Sequence, residues 1–305
     1  MIRRCLITAL AAVLILAPWA LPAAQLRIAT FNVENYLDAP ISYREAKSPE
    51  ARAKVRESIL KIKPDVIAFQ EMGRRSALIE LQQSLKKDGL DLPYIEHASG
   101  WDTNIFVGVL SRIPFKPRSY TNENFLLGGR RFKVSRGFAR VDLQTTNGFA
   151  FTLLSAHLKS KRAIPEADEA EMRLEEAKLL REKVDAILAS DPSANVVVVG
   201  DFNDTRDSRS VRALIGRGKT RLVDTRPSER NGDNTPSSNP AWDPRTITWT
   251  HYYGKEDSYA RLDYILISQA MQKYWAPKET YILALPNWGV ASDHRPIVAG
   301  FNVPD

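Results

Sequence analysis

Short runs of β-branched and aromatic residues, each ending in a polar group, alternate along this chain with stretches whose apolar residues recur at helical spacing. Leu26-Arg-Ile-Ala-Thr-Phe-Asn-Val-Glu-Asn35 alternates and then turns polar, which predicts a strand through Phe31 that ends at Asn32 and Glu34. Ser48-Pro49 supplies a cap serine and a first-turn proline. Val55, Ile59 and Ile62 then follow at helical spacing until Lys63-Pro64 stops the helix. Asp65-Val-Ile-Ala-Phe-Gln-Glu71 predicts a second, buried strand that again ends in a carboxylate, and Leu78, Leu81 and Leu85 mark one face of a second helix. Strand, helix, strand, helix argues for an α/β layered domain.

The middle of the chain is richer in strands. Ile105 to Leu110, Gly137 to Leu143 and Phe149 to Leu158 alternate or run apolar, with Thr145-Thr-Asn-Gly148 as a hairpin turn between the last two. Pro165 opens a long amphipathic helix whose inner stripe is Ala170, Leu174, Ala177, Leu180, Val184, Ile187 and Leu188. Val196-Val-Val-Val-Gly-Asp-Phe-Asn-Asp204 follows. Four consecutive valines read as a strand covered on both faces. Gly200 lets the chain turn, and Asp201, Asn203 and Asp204 come immediately after. The run from Pro227 to Pro244 reads as a loop, and Thr246 to Thr250, Leu262 to Ile267 and Pro296 to Phe301 as strands. No internal repeat and no apolar-poor linker divides the chain.

Composition changes the picture at the N-terminus. Arg3 and Arg4 precede an apolar run from Cys5 to Leu16, then Pro18, Pro22 and the small residues Ala23 and Ala24. This is the pattern of a secretory signal peptide, and it is short for a membrane span. The expected organisation is a signal segment over 1–24 and one domain over 25–305 of an exported protein, periplasmic or secreted, with no stable membrane span after cleavage. Cys5 is the only cysteine among 305 residues, so the mature chain has neither disulfides nor a thiol nucleophile nor a cysteine zinc site. Without Arg3 and Arg4 the formal charge falls from +7 to +5, a basic balance that favours anionic partners such as nucleic acid or lipid head groups.

Candidate chemistry sits at the strand ends. Asn32 and Glu34, Glu71, His157, Asp201 with Asn203, Asp263, and Asp293-His294 each lie at or beside an apolar strand. Any one alone reads as a turn, a cap or a satisfied buried group; their recurrence points to one site on a rigid scaffold. Only four histidines are present, and two of them, His157 and His294, belong to this set. His97 and His251 lie in loop-like sequence and read as structural.

The motifs TFNVEN, DVIAFQE, SAHLKS, VVVVGDFND, RLDYIL and SDHRPI, spanning Thr30 to Ile297, resemble those of the endonuclease/exonuclease/phosphatase family, in the family's order. The resemblance implies a four-layered α/β sandwich of the DNase I type, two mixed β-sheets packed face to face with helices outside. It implies cleavage of phosphoester bonds with Mg²⁺, with Mn²⁺ or Ca²⁺ as alternatives. Glu71 then corresponds to the principal metal ligand, with Asn32 beside it and Asp293 nearby, and Glu34 falls where part of the family has an acidic ligand. His294 would contact the non-bridging oxygens or take the water's proton, held by Asp263. Asp201 would orient or deprotonate the water, so the general base is either Asp201 or His294. Asn203 would hold the phosphate, and His157 would contact it and serve as acid for the leaving group, with Asp102 and Asn104 as candidate partners. Arg136 resembles a family arginine that touches the scissile phosphate.

The expected activity is that of a nuclease acting on DNA or RNA as a monomer. Lys159, Lys161 and Arg162, and the cluster Arg130, Arg131, Lys133 and Arg136, would supply salt-sensitive phosphate contacts. The alternatives are a phospholipid or sphingomyelin phosphodiesterase, a phosphatase of the same fold, or a binding module that has lost catalysis. A lipid-acting member is expected to expose an aromatic hairpin, for which Trp275 and Trp288 are the nearest residues, each isolated.

Overall fold

A computed structural model describes residues 24–230 and 246–304. The expected signal segment, apart from its last residue, and most of the loop from Pro227 to Pro244 lie outside the described residues. The first half runs β1 (Ala24–Tyr36), α1 (Pro49–Ile62), β2 (Val66–Met72), α2 (Arg75–Lys87), β3 (Tyr94–Ala98), β4 (Phe106–Ser111), β5 (Phe115–Pro117), β6 (Asn124–Leu127), β7 (Arg130–Lys133), β8 (Ala139–Gln144) and β9 (Ala150–His157). It continues through α3 (Glu169–Ser190), β10 (Val196–Asp201), α4 (Arg209–Ile215), β11 (Val223–Asp224), β12 (Ser228–Glu229), β13 (His251–Tyr253), β14 (Ser258–Ala260), β15 (Asp263–Ile267), α5 (Gln269–Gln272), β16 (Trp275–Ile282) and β17 (Ile297–Val303).

The strands build two large mixed sheets. One has seven strands in the order β12-β16-β17-β1-β2-β4-β3, the other six in the order β11-β15-β10-β9-β8-β5. Parallel pairs lie at the centre of each, β1 beside β2 and β9 beside β10, and antiparallel partners flank them. The two-residue period of the strands sorts the apolar side chains into layers. Leu26 and Ile28 of β1, Val66 and Ala68 of β2, Leu153 of β9, Val197 and Val199 of β10, and Ile265 and Ile267 of β15 meet in one cluster between the sheets. The alternate residues point outwards. Ala29, Phe31, Ile67 and Phe69 pack against Val55, Ile59, Leu78 and Leu81 of α1 and α2. Leu154, Val196, Val198 and Leu266 pack against Leu180, Val184, Val211 and Leu214 of α3 and α4. Helices, sheet, sheet, helices make four layers, the expected architecture. No helix among the described residues is long and apolar enough to cross a membrane.

Local chemistry fixes the helix ends. Ser48 accepts from the Ala51 backbone N–H at 3.1 Å and caps α1 as expected. The long helix α3 starts later than its proline suggested. Asp168 accepts from the N–H groups of Ala170 and Glu171, each at 2.9 Å, and is the true cap.

Other expectations fail. Thr246 to Thr250 forms no strand. Thr250 instead ties single loops together: its hydroxyl accepts from the N–H groups of Leu262 and Asp263, and its carbonyl from Arg295 N. The strand β16 was hidden by Pro277 and by the charged residues Lys278 and Glu279, and its pairing with β17 shifts register between Ala276 and Tyr281.

Gly200 carries a constraint that no other residue type satisfies. Its φ is +135°, and a Cβ there would lie 1.9 Å from the Ala156 carbonyl oxygen of β9. Gly200→Ala is therefore expected to destabilise the fold by on the order of 3 kcal/mol, combining a strained backbone with overpacking. Urea denaturation measures this; a loss below about 1 kcal/mol would show that β9 and β10 yield at this point.

Candidate active site

At one end of the sandwich the inward-facing positions change from apolar to polar. Along β1 the inner side chains run Leu26, Ile28, Thr30, Asn32; along β9, Leu153, Ser155, His157; along β10, Val197, Val199, Asp201; and along β15, read backwards, Ile267, Ile265, Asp263. Register aligns them: Asp201 pairs with His157 on one side and with Asp263 on the other, and Asn32 pairs with Gln70. A first polar row closes the core, with Thr30 donating to Gln70 at 3.1 Å and Gln70 reaching across to Ser155 at 3.2 Å. The second row is the site.

Asp201 stands at its centre, 1% exposed. Its Oδ2 accepts from Asn32 Nδ2 at 3.0 Å and lies 3.5 Å from His157 Nε2 and 3.7 Å from His294 Nε2. Its Oδ1 accepts from the Asn203 backbone N–H at 2.8 Å. His294 Nδ1 meets Asp263 Oδ2 at 2.8 Å, so the expected pair is in place. Ser292 bonds the Asn32 carbonyl and accepts from the His294 N–H, fixing the approach of that loop.

The two histidines are driven in opposite directions. Burial drives His157 well below its ordinary value, and the charges of Arg136, His294 and Arg44 add to this, so it is neutral. Burial also opposes the charge on His294. There, Asp263, Asp201 and the Asp263 hydrogen bond prevail and hold it well above its ordinary value. Burial pushes the Asp201 carboxyl up to about 6, with Asp263 adding to the rise and His294 opposing it.

Beside this core lies a group of oxygen donors. Glu34 Oε2 accepts from the Asp293 backbone N–H at 3.2 Å, and Glu34 N donates to Asn32 Oδ1 at 3.0 Å. Burial and then the charges of Asp293 and Glu71 raise Glu34 above the usual carboxylate range, against Lys47, whose Nζ lies 3.6 Å away. Arg44 reaches Glu71 at 3.3 Å. Asp293 and Glu71 both repel Glu34, and carboxylate and amide oxygens are the donor type a hard divalent cation takes. Among the described residues, the ligand atoms that lie within 4.8 Å of one another are those of His251, Asp293 and His294 and of Asp201, Asp263 and His294. Glu71 sits where the β2–β4 ladder slips, with a φ of +57°, and Asn203 turns at +53°.

Several expected residues make other contacts. Lys159 is buried and donates its ammonium to the carbonyls of Ser160 at 3.0 Å and Arg162 at 2.7 Å, so it braces its own loop instead of facing a phosphate. Asp102 faces Arg136 Nε at 3.8 Å, and neither it nor Asn104 bonds His157, whose Nδ1 has no partner. Asn203 donates its amide to the Leu158 carbonyl at 3.0 Å, and Arg136 Nη1 donates to the same oxygen at 3.4 Å. Arg136 is buried beside the site, whereas Arg130 and Arg131 lie on the exposed β6–β7 hairpin.

Sequence reasoning missed His251. Its strand pairs in isolation with His294, its ring lies 4.5 Å from that of His294, and its Nε2 is 3.6 Å from Asp293 Oδ2. Burial alone would raise Asp293; the hydrogen bond from His251, with His294 and Lys47, holds it below the usual range.

A two-sheet sandwich with this polar end is the DNase I-like arrangement. The chain belongs to the endonuclease/exonuclease/phosphatase family, whose sequence profile matches residues 29–294. Members of that family are hydrolases acting on phosphoester bonds. No curated protein matches the sequence. Among solved structures, truncated TDP2 of Caenorhabditis elegans is similar at 17% identity, with 92% of this chain and 98% of that chain covered and a TM-score of 0.59. The human Nocturnin catalytic domain with bound sulfate gives 17%, 91%, 94% and 0.58. Staphylococcus aureus beta toxin gives 18%, 90%, 99% and 0.59.

The opposed histidines are testable without substrate. In Asp263→Asn the nearest anion to His294 and its hydrogen bond are gone while Asp201 and Asp293 remain, so the His294 titration is expected to fall from its raised position in the parent. Nitrogen-15 NMR of the imidazoles reads this directly. In the parent, the raised folded value gives stability that is present below pH 6.5 and lost as pH rises through the folded value. The stability gap between parent and variant should therefore narrow as pH increases.

Proposed function

We propose that this protein is an exported, divalent-metal-dependent phosphodiesterase that acts as a monomer on DNA or RNA. The observation that carries the reading is the convergence of neutral His157, Asp201 and charged His294 beside the oxygen donors Glu34, Glu71, Asp293 and Asn32. The protonation states supported by the geometry favour one assignment of the base. His294, charged through Asp263, has no lone pair free to accept a proton, whereas Asp201 is ionised at neutral pH and raised enough to be a useful base. Asp201 thus takes the proton of the attacking water as the new phosphorus–oxygen bond forms and the bond to the leaving oxygen breaks. His294 sets its positive charge against the non-bridging oxygens. His157 contacts the same phosphate with its Nε2, and Asn203, after β10, and Arg136, before β8, flank it while bonding the Leu158 carbonyl.

Glu71, Glu34, Asp293 and Asn32 would hold the ion, and the all-oxygen set suits Mg²⁺, with Mn²⁺ or Ca²⁺ as substitutes. Such an ion supplies neutralisation of the phosphate and stabilisation of charge on the departing oxygen. The basic mature charge and Arg44, Lys47, Arg136 and Arg162 near the site favour a polyanionic substrate over a neutral one. Export rests on the leader-like N-terminal segment.

The test is hydrolysis of plasmid DNA, RNA and bis(p-nitrophenyl) phosphate with Mg²⁺ and with EDTA. Activity is expected only with the metal, and Glu71→Gln should raise the Mg²⁺ concentration needed for half-maximal rate; unchanged activity in EDTA would sink the metal assignment. Protonation of Asp201 removes the base, so kcat/KM is expected to fall as pH drops through about 6. Asp201→Asn should lower the rate by about 10²–10⁴ and erase that limb. A parental limb that survives in Asp201→Asn would assign the base elsewhere. Asp263→Asn and His294→Ala act on one unit, and the double variant is expected to be scarcely slower than the His294 single; losses that multiply would separate them.

A further inference from the structure

Two large aromatic side chains stand exposed on loops that carry groups of the site. Tyr43 is 64% exposed and Trp101 is 67% exposed. Neither contributes to a core cluster, and both are held on ordered backbone. Tyr43 lies in a tight turn closed by reciprocal 3.0 Å hydrogen bonds between Ile41 and Arg44. The next residue, Arg44, reaches Glu71. Trp101 lies in a loop laced to the strand end before Arg136, with Trp101 N and Asp102 N donating to the carbonyls of Val134 and Ser135. A Cβ on the neighbouring Gly100 would come within 2.4 Å of that Ser135 oxygen, so the approach is as close as backbone allows. Asp102 in turn faces Arg136.

A single exposed aromatic ring is ordinary on a protein surface. What sets these two apart is that each stands beside a residue tied to the site, Arg44 to Glu71 and Asp102 to Arg136. The surroundings of these two rings say what kind of surface fits. The Tyr43 ring has the Arg44 guanidinium 5.3 Å from its centroid and that of Arg162 at 4.6 Å. Lys159 braces the Arg162 loop from beneath. Planar cations beside a planar ring are what a flat, electron-rich heterocycle on a phosphate backbone would meet with its face and its phosphates. Insertion into a lipid surface would instead bury Arg44, Arg162 and Asp102 with the rings, a penalty that charged neighbours impose. Trp275 donates to Thr280 at 2.8 Å and Trp288 packs 5.5 Å from Trp249, and on the β13–β14 hairpin, where Tyr253 and Tyr259 are exposed, the Tyr259 ring packs 4.8 Å from those of Trp249 and Tyr252.

We propose that the site takes unpaired nucleic acid, with bases flanking the scissile phosphate stacked on Tyr43 and on Trp101 and the phosphates met by Arg44 and Arg162. A duplex hides the faces of its bases within its own stack, so the rings confer preference for a single strand. The inference rests on the phosphodiesterase reading above.

The experiment compares the Mg²⁺-loaded mature protein on a labelled single-stranded oligonucleotide, on the same sequence as a duplex, and on bis(p-nitrophenyl) phosphate. The parent is expected to favour the single strand over the duplex at least tenfold. Tyr43→Ala and Trp101→Ala should each lower kcat/KM on the single strand about tenfold, carried by KM, the order of one base–aromatic stack. That loss should exceed the loss on the small diester, and Tyr43→Phe and Trp101→Phe should restore most of it. Equal losses on both substrates, no loss on the oligonucleotide, or a parent that cuts duplex as well as single strand would each overturn the proposal. So would losses confined to hydrolysis of phospholipid vesicles. A parent inert on every phosphodiester would instead remove the reading beneath it, which the small diester distinguishes.

Discussion

A single buried carboxylate holds the two sheets to their common purpose. Asp201 ends a strand of the six-stranded sheet, yet one of its oxygens is bonded by Asn32 of β1 in the seven-stranded sheet. Taking a carboxylate out of water costs several kcal/mol unless donors replace the water. Here the donors come from Asn32 and from the Asn203 backbone, with His157 and His294 within 3.7 Å. Those groups reach one point only if Asn32 of β1, His157 of β9, Asp201 of β10 and Asp263 of β15 lie at the same depth. The valine, isoleucine and leucine layer between the sheets sets that depth. Packing and chemistry are thus two ends of the same strands.

The same environment gives two histidines different charges. Both are buried and both lie within 4 Å of Asp201, so burial cannot distinguish them. What distinguishes them is the second nitrogen. His294 Nδ1 has Asp263 at 2.8 Å, while His157 Nδ1 has nothing and has the guanidinium of Arg136 in its neighbourhood. A cation and a neutral imidazole are thereby available on either side of one carboxylate, a division of labour set by partners and not by residue type.

Much of this was legible in the sequence, because the two-residue period of β1, β9 and β10 carries straight from core positions to site positions. Asn32, His157 and Asp201 stand out as polar residues at the next inward step of an apolar alternation. Asp263 and His294 were legible as motifs, and Ser48 as a cap. The parts that were not legible depend on contacts distant in sequence. His251 reaches the site only because a two-stranded hairpin folds against the loop before β17. Lys159 looked like a phosphate ligand because its charge is visible in sequence and the two carbonyls it satisfies are not. Asp102 seemed a partner for His157 until Arg136, 34 residues further on, claimed it. The long helix began late because Asp168, and not the conspicuous proline, had the geometry to cap it.

Backbone irregularity marks where the scaffold yields to the site. Nine non-glycine residues among the described ones have positive φ, and four of them are Glu34, Asn35, Glu71 and Asn203. Asparagine tolerates that region through its short polar side chain, but glutamate has no such help, so Glu34 and Glu71 hold conformations that cost of order 1–3 kcal/mol each. Both lie where a ladder slips: β1 against β2 between Asn32 and Tyr36, and β2 against β4 between Phe69 and Met72. A bulge breaks the strict inward–outward alternation and re-aims the side chain it carries. With regular pleating, Gln70 points inward, so its neighbour Glu71 would face the outer helices. The slip releases Glu71 from that fate and leaves it with Arg44, in the charge field it shares with Glu34 and Asp293. The strain is thus tied to the residues that gather negative charge, and it is offset by the well-packed strands on either side.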